Sequence, residues 1–89
     1  MKKMTIKIKN EIIEGLYTII NINRVGSDEI EVLETIISNF ENKKLVDITK
    51  KDLSFIQCEI NDLLNWSDRL GGDEISIIKN ISSCIDNLI

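Results

Sequence analysis

Apolar residues recur along this chain at intervals of three and four, the spacing that places them on one face of an α-helix. Between positions 28 and 42 they stand at Ile30, Val32, Leu33, Ile36, Ile37 and Phe40, while Asp28, Glu31, Glu34 and Glu41 fall on the opposite face. From 73 to 88 the pattern returns with Ile75, Ile77, Ile78, Ile81, Ile85 and Leu88. A third run, 50–70, carries Leu53, Ile56, Ile60, Leu63, Leu64 and Leu70, and a fourth, 8–23, carries Ile8, Ile12, Ile13, Leu16, Ile19 and Ile20. The spacing predicts four helices over these ranges, each with an apolar arc wide enough to bury against two neighbours. Short connections make consecutive helices antiparallel, so the predicted fold is all-α, a four-helix antiparallel bundle. Met4 to Lys9, where Ile6 and Ile8 alternate with polar residues, also suits a short strand, and an α+β fold with that N-terminal strand is the alternative.

Two of the predicted helices begin with the same words. At an offset of 45 residues, Arg24-Val25-Gly26-Ser27-Asp28-Glu29-Ile30 lies over Arg69-Leu70-Gly71-Gly72-Asp73-Glu74-Ile75, and Ile36, Ser38 and Asn42 meet Ile81, Ser83 and Asn87. That makes 8 identities in the 19 positions from Arg24 to Asn42. Each copy reads as a helix stop followed by a helix start. Gly26 or Gly71 is expected to close one helix in the left-handed conformation, Ser27 or Gly72 to cap the next, and the Asp-Glu pair to occupy its positive first turn. The chain is thus read as a single domain, 1–89, of two similar αα-hairpins, with 10–42 repeated as 55–87. Thr49 and Asp52 make a capping-box pattern that starts the third helix at Lys50, with Ile48 and Leu53 as its hydrophobic staple.

Composition narrows the chemistry. The 89 residues include no His, no Pro, two Cys and one Trp, with a formal net charge of −4. The abundance of Ile, Lys and Asn points to an A/T-rich coding sequence, that of a phage or low-GC bacterium. An acidic chain is poorly suited to displacing counterions from phosphates, so no nucleic-acid partner is expected, and the patch of Lys43, Lys44, Lys50 and Lys51 is too small and Arg-poor to change that. No apolar run approaches the roughly 20 residues of a membrane span. The start MKKMTIKIKN lacks the apolar stretch of a signal peptide, so a cytoplasmic location is expected. In a reducing compartment Cys58 and Cys84 are expected as free, inert thiols.

Catalysis is not expected. Without His the usual general base near neutral pH is missing, and no Cys/His set is present to hold zinc; no cofactor is expected. The glycine turns are followed at once by Asp-Glu, which would repel a phosphate. Two features remain as a candidate recognition surface. One is the acidic ridge of the second helix, from which Glu31 and Glu34 are singled out. The other is the flank of the third helix, where Phe55 and Trp66 border the apolar arc with Glu59 and Asp62 between them. Solvated carboxylates and seam-covering aromatics are the plain reading of both. The sharper one is a protein-binding site, because Trp anchors dominate such interfaces and charge steers association.

The function expected is therefore a small non-catalytic protein-binding inhibitor, such as a toxin or bacteriocin immunity protein or a phage anti-defence protein. In length and helix number the chain is similar to the small four-helix bacteriocin immunity proteins, although no residue motif carries that likeness. The alternatives are a self-assembling bundle, a homodimer for instance, that sequesters a small anionic ligand between Arg24 and Arg69, and an acidic nucleic-acid mimic.

Overall fold

The computed structural model describes residues 3–22 and 25–88. Four α-helices run in order: α1 (Ile6–Asn21), α2 (Ser27–Glu41), α3 (Lys50–Trp66) and α4 (Gly72–Leu88), with a single 3-10 turn, Leu45–Asp47, between α2 and α3. Each helix packs on two others in the closed order α1–α2–α3–α4–α1, making an all-α four-helix bundle of 34 × 22 × 20 Å. Its core is almost wholly aliphatic. Ile12, Leu16 and Ile19 come from α1, Leu33, Ile36, Ile37 and Phe40 from α2, Leu53, Ile56, Ile60 and Leu63 from α3, and Ile78, Ile81, Ile85 and Leu88 from α4. All fifteen belong to the apolar arcs read from the sequence.

The N-terminal strand alternative is overturned. Thr5 is extended and its Oγ1 accepts from the Ile8 N–H at 3.1 Å, an N-cap that starts α1 at Ile6. No strand occurs among the described residues. Position 23, the expected end of this helix, and Arg24 lie outside the described residues. At the next junction the expected box is present: Thr49 Oγ1 accepts from Asp52 N at 3.2 Å while Asp52 Oδ2 accepts from Thr49 N at 2.9 Å, and α3 begins at Lys50. The third helix stops four residues short of the expectation. Ser67 is already extended (φ −84°, ψ 130°), and its N–H closes the last turn on Leu63 O at 3.0 Å.

The expected left-handed glycines are a second correction. No described glycine has positive φ. Gly26 is extended (φ −89°, ψ 178°) and is itself the N-cap of α2, so Ser27 and Gly72 are first helical residues rather than caps. A different glycine lies where two helices meet. A Cβ on Gly15 of α1 would lie 3.0 Å from Ile81 Cδ1 and 3.2 Å from Ile77 Cγ2, so any side chain there would need these two isoleucines of α4 to give way by a few tenths of an ångström.

Candidate functional site

The bundle places α2 beside α3, and the surface between them opens into two hollows. At the end formed by the start of α2 and the finish of α3, a groove of about 390 Å3 is lined by Asp28, Glu31, Val32, Thr35, Glu59 and Trp66. Helical periodicity explains the membership: 28, 31, 32 and 35 form one strip of α2, and Glu59 and Trp66 are two turns apart on α3. Trp66 is the final residue of α3 and is 49% exposed. Asp28 and Glu31 are exposed and Glu59 is half-buried. Three carboxylates and one indole line this recess, with no cation among the lining residues. That combination suits a guanidinium or ammonium group, which the ring quadrupole and the carboxylates attract together.

The second hollow, of about 290 Å3, lies toward the other end. Phe55, 41% exposed, stands at its side with Phe40, Ile56, Asn39, Lys43, Lys51 and Asp52. Lys43 Nζ is 2.7 Å from Asp52 Oδ1. Its hydrogen bond, with the N–H of Thr49, holds the Asp52 carboxyl below the usual range against the opposing effect of burial. Phe55 and Trp66 are eleven residues apart, about 16 Å of helix rise. They do not share a hollow.

Of the six sequence-predicted residues, Glu31, Glu59 and Trp66 therefore converge. Glu34 is absent from that groove; with Glu31 it lines another depression on the outer surface of α2, beside Ser27, Ile30 and Ser38. Asp62 is exposed outside both α2–α3 hollows, and Phe55 belongs with the lysines. Glu41 turns toward α1, where Tyr17 Oη donates to its Oε2 at 3.2 Å; that bond, and the negative charge behind it, raises the Tyr17 phenol above its ordinary value. Asp28, Val32 and Thr35 were not singled out from the sequence. Their i, i+4, i+7 relation was visible, but nothing in the chain indicated that this strip faces the end of α3.

The deepest departure concerns the repeated Asp-Glu pairs. Glu29 and Glu74, expected at helix starts for dipole reasons, are 2% and 0% exposed. Each reaches back three residues to a backbone N–H: Glu29 Oε1 accepts from Gly26 N at 3.0 Å, and Glu74 Oε2 accepts from Gly71 N. This is the returning half of a capping box, with glycine supplying no side chain of its own. Glu29 Oε2 accepts from Ser67 Oγ at 3.0 Å, and Arg69 Nη1 lies 3.6 Å from Oε1. Burial pushes this carboxyl up, but the backbone donors, the Ser67 hydroxyl and the Arg69 charge together hold it below its ordinary value. Glu74 Oε1 has no hydrogen-bond partner among the described residues. The residue 45 positions before Ser67 is Ile22, which has no hydroxyl to offer. The reach-back, though not the burial, was legible as Gly-x-x-Glu in each copy of the repeat.

Arg69 faces Glu29, and Arg24, its counterpart in the anion-capture alternative, lies outside the described residues. Cys58 is exposed and Cys84 half-buried, both as free thiols. Among the described residues no group of three His, Cys, Asp or Glu is arranged to hold a metal ion, and no helix is long and apolar enough to cross a membrane. Comparison with known proteins finds no matching family model, no matching curated protein and no matching solved structure.

Proposed function

We propose that this bundle is a protein-binding module that takes a basic segment of a partner into the groove between α2 and α3. The observation that carries the reading is the convergence of Asp28, Glu31 and Glu59 on the half-exposed indole of Trp66. A lysine or arginine entering there would stack on the ring and pair with a carboxylate carried on a helix, so little backbone freedom is lost on binding. The outlying Glu34 extends the negative field and speeds encounter rather than making the contact. Inhibition of the partner, as a toxin or bacteriocin immunity protein or a phage anti-defence protein would exert it, is the biological form we favour. A small rigid domain of this kind blocks a basic surface by occupying it and requires no chemistry of its own.

Trp66 is the one tryptophan in the chain, so its fluorescence reports directly on the groove. Titration with an arginine-rich peptide should change that emission saturably and more weakly as salt is raised, and a glutamate-rich peptide of equal length should leave it unchanged. An unaltered spectrum, or equal binding by Glu31→Lys and Glu59→Lys, would refute the reading.

A further inference from the structure

From the α2–α3 connection into the first turn of α3 the chain reads Lys43-Lys44-Leu45-Val46-Asp47-Ile48-Thr49-Lys50-Lys51, an aliphatic centre between two lysine pairs. Its 3-10 turn lifts Val46 to 88% exposure, more than any other large hydrophobic residue described. Around it Met4, Leu45 and Ile48 are half-buried and Leu53 and Leu88 form the floor, a shallow apolar depression of about 390 Å3 with Lys3 and Lys50 on its rim. Two nearby lysines are used internally. Lys9 Nζ donates to the carbonyls of Glu41 (2.9 Å) and Lys43 (2.6 Å) at the end of α2, and Lys43 pairs with Asp52. Lys3, Lys44, Lys50 and Lys51 are exposed and form no ion pair with another described residue. Asp47 is the acidic group on the turn itself. The acidic groove occupies the opposite end of the bundle, so the molecule is polarised, basic and apolar at one end and acidic at the other.

An aliphatic side chain held out in water at the apex of a turn requires an apolar medium to be buried. Four exposed lysines with no ion pair to another described residue surround that apex, and charge complementarity calls for a surface that is anionic around an apolar interior. An anionic bilayer surface supplies both halves of the match, acyl chains for the apex and phosphates for ammonium groups whose stems lie along apolar surface. We propose that this end of the bundle docks on an anionic lipid bilayer, with Val46 entering the headgroup layer and Lys3, Lys44, Lys50 and Lys51 contacting lipid phosphates. Attachment is peripheral and reversible, each lysine strengthening it roughly fivefold. This goes beyond the groove reading and does not rest on it: the docked orientation leaves the Trp66 groove facing solvent.

The test is co-sedimentation of the full chain with vesicles of phosphatidylcholine alone and of phosphatidylcholine mixed with phosphatidylglycerol. The wild type should sediment with the anionic vesicles only, and less as salt is raised. Val46→Ser should weaken partition roughly tenfold, as expected for withholding one aliphatic side chain from the lipid, and Lys44→Glu/Lys50→Glu should abolish it. Circular dichroism checks that both variants remain helical, which their exposed positions predict. Absence of sedimentation, equal sedimentation with neutral vesicles, or Val46→Ser partitioning like the wild type would each overturn the proposal. So would a concentration-dependent dimer that Val46→Ser dissociates while vesicles bind neither form, because a second copy would then be what covers the apex.

Discussion

Ser67, the residue that ends α3, donates its hydroxyl to Oε2 of Glu29 in the first turn of α2, at 3.0 Å. One residue thereby closes a helix through its backbone N–H and, through its side chain, ties the α3–α4 connection to a residue 38 positions earlier in the chain. It also divides two otherwise matching glutamates: Glu29 has both oxygens occupied, whereas Glu74 keeps one buried oxygen without a described partner. Ser67→Ala should lower stability by about 1.5 kcal/mol, the cost of withdrawing a donor from a buried charged acceptor. Urea denaturation measures it. A change within about 0.5 kcal/mol would mean that water replaces the hydroxyl freely.

Acid should destabilise the bundle through Glu29 and Asp52, both held below their ordinary values in the fold. The unfolded chain takes up these protons first as pH falls. The contribution is therefore complete above the unfolded carboxylate range, about 4, and is lost as pH drops through the lower folded values. Stability measured against pH should fall below about pH 5, and Glu29→Gln/Asp52→Asn should flatten that fall. An unchanged slope in the double variant would assign acid sensitivity to other carboxylates.

Gly15 of α1 faces α4, and a larger residue there would strike Ile77 and Ile81. Gly15→Val should destabilise by roughly 2 kcal/mol through overpacking and the β-branched cost in a helix. Thermal unfolding with full recovery on cooling is a suitable readout. Equal or greater stability would show that the two isoleucines move aside.

Trp66 separates binding from folding. Because the ring is half in water, Trp66→Ala should cost about 1 kcal/mol or less in stability, well below the 3 to 5 of a core tryptophan. If the groove holds a basic segment, the same change should cost about 2 kcal/mol in binding a captured partner or an arginine-rich peptide, measured by calorimetry. Glu34→Lys should act mainly on the association rate and be masked by salt. The reverse pattern, a large stability loss with binding intact, would remove Trp66 from the site.

Cys58 is exposed and Cys84 half-buried, and neither has a bonded partner. Cys58→Ser/Cys84→Ser should retain the melting temperature to within a few degrees and bind the arginine-rich peptide as the wild type does. Weakened binding by a folded double variant would show that a thiol belongs to the recognition surface.

Helix identity, the fifteen-residue core and the Thr49–Asp52 cap were determined by the sequence alone, because helical spacing and capping are relations among residues a few positions apart. Trp66 and Phe55 were legible as edge residues for the same reason: their angle on α3 follows from their number. Which surfaces those edges face was decided by the tertiary structure. The strip of α2 carrying Asp28 and Glu31 meets Glu59 and Trp66, and Phe55, a turn beyond Lys51 on α3, meets Phe40 and Lys43, only once α2 and α3 are set side by side. The burial of Glu29 and Glu74 was hidden too, since a charged residue in a first turn is ordinarily solvated. Their carboxylates go inside because backbone N–H groups, and for Glu29 a serine from a distant loop, replace the water they give up, and the positions of such donors are fixed by the packing of the whole bundle.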